Sequence, residues 1–236
     1  MNLIRNKLNF YLSNVDGESR KLISMIANCA NQNSSILDVG CGYGRNLQLL
    51  LKNQFKNVIG VELNPAIVET NLKNNLPCIS VENFQALDQK FNLILMSHII
   101  EHFQPADLID FLDFYLDRLE ENGFLVIATP LMSNYFYDDF DHIKPYHPDG
   151  ISLVFGLSKS QVQYYSRNKL VLRDIWFRTS PYRASFIRSL YLATIFNKPL
   201  RVISILSAFI FTISFGRIGK KDGWIGVYQK IGGKHA

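Results

Sequence analysis

The chain is poor in cysteine, with 3 in 236 residues. Cys29, Cys41 and Cys78 are too few and odd in number for a disulfide framework, so a reducing, cytoplasmic compartment is expected. Charged residues make up only 19%, below the ~25% of an ordinary soluble domain, and mean hydropathy is +0.02. No uninterrupted apolar stretch reaches the ~20 residues needed to cross a bilayer. The opening MNLIRNKLNFYLSN has no unbroken apolar core, so no cleaved leader is expected. Internal repeats and low-complexity tracts are absent too. What is present, 47% hydrophobic and 13% aromatic residues, excludes a disordered tail or a collagen-like chain. The length fits one large domain or two small ones.

Acid is the other scarcity, and it is local. Residues 142–236 hold 3 Asp and Glu against 15 Lys and Arg, whereas residues 1–141 hold 17 against 10. The net balance is +12 in one part and −7 in the other. Two explanations stand side by side: the halves neutralise each other within one fold, or the basic part faces an anionic surface or substrate.

From residue 34 to 130 strand-like and helix-like segments alternate. SSILDVG, KNVIGVEL, CISV, KFNLILMS and GFLVIATP read as strands. Between them lie RNLQLLLKN, a helix opened by Asn64 and Pro65, and a helix expected over roughly 105–121 from Leu108, Phe111, Leu112, Tyr115 and Leu119. This rhythm predicts a doubly wound, mostly parallel α/β sheet, because parallel neighbours need crossover helices. Residues 1–33 are expected to form an N-terminal helical segment. After Pro130 a long loop is expected over 133–150, then a sixth strand, KLVLRDIWF, an apolar helical insertion over about 183–217, and a closing strand, WIGVYQK.

The most informative segment is Asp38-Val39-Gly40-Cys41-Gly42-Tyr43-Gly44, a strand running through a glycine turn into a helix. Glycines here let a ligand approach the main chain, at the carboxyl end of the strands where doubly wound sheets bind ligands. Glu62 follows at the tip of the next strand, placed to accept hydrogen bonds from both hydroxyls of a ribose. A dinucleotide fingerprint would need glycine where Arg45 stands.

The D-x-G-x-G-x-G run resembles the first motif of class I S-adenosylmethionine-dependent methyltransferases. The likeness continues in V-E-L-N-P (61–65), F-N-L-I-L-M-S-H-I-I-E-H-F (91–103) and E-N-G-F-L-V-I-A-T-P (121–130). It implies a single Rossmann-like domain whose seven-stranded sheet ends in an antiparallel strand, with residues 34–130 as the cofactor-binding core and 131–236 as the substrate side. It also implies S-adenosyl-L-methionine as cofactor. Asp38, Gly40, Cys41 and Gly42 would then line its methionine end. Glu62 and Leu63 would lie at the ribose, Asn83 and Phe84 near the adenine, and Ser97 at the end of the fourth strand. Methyl transfer needs alignment, proton removal and exclusion of water rather than a nucleophilic side chain.

Four of the five histidines fall on loops at this same edge: His98, His102, His142 and His147. Any of them could take a proton near neutrality. His98-Ile99-Ile100-Glu101-His102 also matches the zinc-hydrolase pattern H-x-x-E-H, which needs a helix and a distant third ligand. The segment resembles more closely the V-L-E-H element of many small-molecule and quinone methyltransferases, which in some ubiquinone-pathway O-methyltransferases is an acidic, metal-associated E-x-x-E-H. His98 replaces its first acid, so no metal ligand is assigned. The stretch from Asp139 to Tyr146 resembles a loop of polysaccharide-associated methyltransferases, which makes His142 the first candidate for general base and Tyr146 a residue orienting the substrate. A module that binds the nucleoside without catalysis is the remaining alternative.

Val202 to Phe215 is an uncharged run of 14 residues amid Arg183, Arg188, Lys198, Arg201, Arg217, Lys220 and Lys221. On a helix, Val202, Leu206, Phe209 and Ile213 share one face. Such a helix suits a headgroup layer, so peripheral attachment to an anionic membrane and a small or lipid-linked acceptor are expected, with a lid or a dimer contact as competitors. Nucleic acid is disfavoured, since the basic residues are interleaved with aliphatics.

Overall fold

A computed structural model of the chain describes residues 17–157, 163–183, 192 and 197–232. The expectations for residues 1–16 and for most of 184–196 lie outside the described residues. Seven strands form one sheet in the order β3-β2-β1-β4-β5-β7-β6. They are β1 (Ser35–Val39), β2 (Asn57–Glu62), β3 (Cys78–Ser80), β4 (Phe91–Ser97), β5 (Leu119–Pro130), β6 (Leu170–Ser180) and β7 (Lys220–Lys230). The first five run parallel, and β7 is antiparallel to both β5 and β6. This is the expected α/β architecture.

Alternate strand residues point to opposite faces, so a sheet covered on both sides carries two cores. Leu37, Val39, Ile94, Met96, Leu125 and Ile127 pack on one face. There they meet α4 (Val81–Ala86), α5 (Pro105–Leu116) and α6 (Pro148–Phe155) through Phe84, Leu112, Tyr115 and Ile151. Ile36, Leu93, Leu95, Val126 and Ala128 pack on the other, against Leu22, Met25 and Ile26 of α1 (Glu18–Cys29) and Leu47 and Leu50 of α2 (Arg45–Lys52). Val68 of α3 (Pro65–Lys73) joins this second core. Asn64 caps α3 as its sequence predicts, its side chain accepting from Ala66 N at 3.0 Å, with Pro65 in the first turn.

Two boundaries differ from expectation. The helix after β4 stops at Leu116, and Leu119 starts β5 opposite Phe91 instead of extending the helical stripe. Strand pairing wins because it satisfies backbone groups: Phe91 N donates to Arg118 O at 2.8 Å. The long loop is shorter than expected, since α6 already begins at Pro148, with Asp149 in its first turn.

The apolar insertion forms α7 (Asn197–Ile213). Among its described side chains Ala208 and Phe211 are buried, while Val202, Ile203, Leu206, Phe209, Ile210 and Ile213 are exposed. The helix therefore leaves most of its large apolar side chains outward, unlike an ordinary surface helix. No helix among the described residues is long and apolar enough to cross a membrane.

Candidate active site

The turn after β1 is held by its own backbone and by one distant side chain. Gly40, Gly42 and Gly44 have φ of 63°, 50° and 75°, a region that favours glycine. Buried Asn71 on α3 donates to Gly42 O at 2.7 Å and pins the turn from below. Gly42 N donates to Glu62 Oε2 at 3.0 Å, and Asn64 N donates to Glu62 Oε1 at 2.9 Å. Each carboxylate oxygen thus keeps a lone pair for a further donor. A cavity of about 530 Å³ opens over the turn, lined by Gly40, Glu62 and Leu63 and walled by Phe103, Phe111, Phe114 and Tyr115.

These residues fit the cosubstrate that the resemblance implies. A Cβ on Gly42 would have no heavy atom within 4 Å, so space above the main chain is open. Glu62 offers two acceptors to a diol, and aromatic side chains flank the rest. Asp38 lies beneath the turn, where burial pushes its carboxyl up to about 7 against a lowering hydrogen bond from Asn46, and its Oδ2 has no partner.

Of the other residues picked from sequence, Cys41 is buried with its Sγ 3.5 Å from that of Cys78. Ser97 ends β4 opposite Ala128. Phe84 is fully buried in the core, stacked among Phe91, Phe114 and Tyr115, and Asn83 is exposed. Val81 and Gln85, which flank them in the same short helix, line the cavity in their place. The α4 register decides this, and a short helix gives too little periodicity to read it in advance.

His98, His102 and His142 gather around Glu101, whose side chain is fully buried in a short 3-10 turn, Ile100–His102, whereas His147 is exposed and lines a separate cavity. Thr129 donates to its Oε2 at 2.9 Å, while Oε1 faces His98 Nδ1 at 3.4 Å and His142 Nε2 at 4.0 Å. His98 sits at φ 57° and also meets Glu18 Oε1 at 3.0 Å. Glu18 in turn pairs with Arg178, whose Nε donates to Asp222 Oδ1 at 2.8 Å. Burial alone would lower the His98 imidazole, but Glu101 and Glu18 outweigh it and raise its pKa to about 9. Burial would raise Glu18, yet His98 and Arg178 bring it down to about 2. His98 is therefore cationic near neutral pH and has no free nitrogen with which to accept a proton. A zinc-hydrolase reading fails on geometry, because the H-x-x-E-H segment spans a strand end and a 3-10 turn instead of one helix face.

His142 is placed differently. Its Nδ1 donates to Phe136 O at 2.6 Å, which leaves Nε2 as the accepting nitrogen of the neutral ring. Nε2 lies 3.7 Å from Asp139 Oδ2. His102 accompanies it with ring centroids 5.0 Å apart and Nδ1 3.1 Å from Asp141 O. Glu101, His102 and His142 present donor atoms within 4.8 Å of one another, an arrangement able to hold a metal ion that the sequence spacing did not assign. Tyr146 is buried and donates its hydroxyl to Phe103 O at 3.0 Å, so its polar end is already used within the loop packing.

His102 lines the first cavity, whereas His98 and His142 line a second, of about 340 Å³, with Tyr135, Arg178 and Tyr182. The cluster therefore stands between two compartments. Glu18 and Arg178 were not foreseeable: they lie 80 residues from His98 and 160 residues from Glu18, respectively, and no local motif marks them.

A family model described as a methyltransferase domain matches residues 11–198. Alpha N-terminal protein methyltransferase 1 of Dictyostelium discoideum is 33% identical over 112 residues, 44% of this chain and 42% of that protein. The chain thus spans less than half the length of this curated relative. Among solved structures, a SAM dependent methyltransferase from Archaeoglobus fulgidus aligns with a TM-score of 0.57 at 19% identity, over 94% of this chain and 99% of that one. The YcgJ protein of Bacillus subtilis aligns at 0.56 with 14% identity, over 90% and 98%. At such identities the likeness is one of fold.

Proposed function

Because the chain belongs to the S-adenosylmethionine-dependent methyltransferase family, we propose that it methylates an oxygen of a small or lipid-linked acceptor, glycan-like or quinone-like, at an anionic membrane surface. The observation that carries this reading is the histidine cluster standing between the glycine-turn cavity and the second cavity. Glu62 and the backbone at Gly40 and Gly42 would hold the adenosyl part, with Val81 and Gln85 toward the base. Bound there, S-adenosylmethionine supplies a methyl group already activated on a sulfonium sulfur. The acceptor lies in the second cavity and passes its hydroxyl proton to His142 Nε2. The Phe136 carbonyl fixes the tautomer this needs, and cationic His98 holds Glu101 in place. Aromatic walls on both sides keep water from the reacting atoms.

Attachment to a membrane is supported by α7. Its outward Val202, Leu206, Phe209 and Ile213 are each more than half exposed, and Phe215 and Ile218 continue the apolar surface toward Arg217, Lys220 and Lys221. Apolar side chains flanked by cations suit an anionic headgroup layer on the cytoplasmic side.

The test uses methyl-labelled S-adenosylmethionine with the purified chain and either a membrane lipid extract or a soluble extract. Label entering an organic-phase product with wild type but not with His142→Asn is the expected result. Absence of label from every fraction, although S-adenosylhomocysteine binds, would overturn the acceptor assignment.

A further inference from the structure

The second cavity carries more positive charge than a neutral acceptor requires. Arg178 in its wall is fully engaged: its Nε and Nη2 donate to Asp222 Oδ1 and O at 2.8 and 3.1 Å, and its Nη1 pairs with Glu18. Asp222 is the one acidic residue in the lining, and that bond occupies it. Arg183 and Lys220 line the same cavity, both exposed, and neither has an acidic partner among the described residues.

Strand pairing holds these two cations near each other. Lys220 opens β7 opposite Ser180, the last residue of β6, and Arg183 follows Ser180 by three residues. Both residues therefore rise from one sheet corner beside His142. A guanidinium fork and an ammonium lining one open cavity suit a phosphate or carboxylate.

We infer that the second cavity takes an acceptor bearing an oxyanion, phosphate-like or carboxylate-like, with Arg183 and Lys220 binding the anion while the nucleophilic oxygen turns to His142. This assignment of substrate class rests on the methyl-transfer reading for the step itself, though not for binding. The lining draws on the charge imbalance of the sequence: Arg183 and Lys220 both come from the acid-poor second half. The cavity volume of about 340 Å³ suits one sugar or aromatic ring with its charged group.

The probes are phenyl phosphate and benzyl alcohol, one ring with and without the anion, followed by saturation-transfer NMR on the full chain loaded with S-adenosylhomocysteine. Phenyl phosphate is expected to bind wild type, weaken on raising KCl, and lose about five-fold or more in affinity in Arg183→Gln with Lys220→Gln. Lys52→Gln with Lys56→Gln removes the same charge from the distant face and should leave binding unchanged. Wild type that fails to prefer phenyl phosphate over benzyl alcohol, or a lining variant that binds as wild type does, overturns the inference. Vesicles of phosphatidylcholine with phosphatidic acid separate the sources. Displacement of the probe by them assigns the anion to a lipid headgroup, and displacement only by soluble phosphates assigns it to a soluble acceptor; either supports the site. Calorimetry with S-adenosylhomocysteine on the same samples keeps the two claims apart. Its failure alone sinks the methyl-transfer reading, and failure of the phosphate probe alone sinks the anion site.

Discussion

The two halves of the sheet solve different problems with different materials. Around β1, β2 and β3 the site is made of backbone: three glycines at positive φ, amides bonded to Glu62, and an asparagine pinning a carbonyl. Around β5, β7 and β6 it is made of side chains brought from far apart, with Glu18, His98, Glu101, Arg178 and Asp222 in one chain of charge. A backbone site grips a fixed ligand and tolerates little change. A side-chain site can be retuned, because each group is replaceable without rebuilding the main chain. A cosubstrate shared across a family belongs with the first, and an acceptor peculiar to one member with the second.

Breaking the backbone-built half should have the largest consequence. Glu62→Ala removes a charged acceptor from two amides and from the ligand, and S-adenosylhomocysteine affinity by calorimetry is expected to fall about 100-fold or more. An unchanged affinity would mean that the turn is only a tight connection. Next comes the boundary between the halves. His142→Asn should lower kcat by about 100-fold or more and leave S-adenosylhomocysteine affinity within about two-fold, which separates proton removal from binding. Equal losses in both would show that His142 supports the fold of the site instead.

The basic half is sharpened by its outer surface. Leu206→Asp with Phe209→Asp places carboxylates on the outward face of α7 and should reduce flotation with anionic vesicles about ten-fold or more. Both side chains are exposed, so melting should shift by no more than about 2 °C. Equal flotation would leave a lid or a dimer contact as the role of that face.

The smallest effect is one of pH. His98 is raised from 6.5 to about 9, so its contribution to stability is complete below pH 6.5 and is lost as pH rises through 9. Glu18 is lowered from 4.5 to about 2, so its contribution is present above pH 4.5 and is lost as pH falls toward 2. Wild type should therefore exceed His98→Asn in melting temperature most between pH 4.5 and 6.5, by about 2–4 °C after allowance for solvent screening at the half-exposed ring. The gap should close above pH 9. A gap constant with pH would show that His98 packs without its charge.

Much of the first half was legible in residue order. Asn64 and Pro65 announced α3, and the glycines, Asp38 and Glu62 marked the turn, because turns, caps and phosphate- or nucleoside-type loops are local devices. Tyr146 shows the limit: its loop motif is visible, yet only packing reveals a hydroxyl spent on the Phe103 carbonyl. Phe84 shows another, where one step of helical register moves a side chain from the cavity wall into the core. His98 shows a third, since an imidazole that looked free to take a proton is raised to about 9 by Glu101 and by Glu18, which arrives from α1.

Sequence alone therefore settled the alternating α/β order and the glycine turn with its acidic partner, which depend on neighbours within about twenty residues, and the uneven distribution of charge, which is a matter of composition. Tertiary structure decided that His98 is held between two carboxylates, which face of α7 meets solvent and which cations of the second cavity have no acidic partner among the described residues. These are matters of electrostatics and burial among residues distant along the chain, and a charge acquires its meaning only when folding fixes what stands beside it.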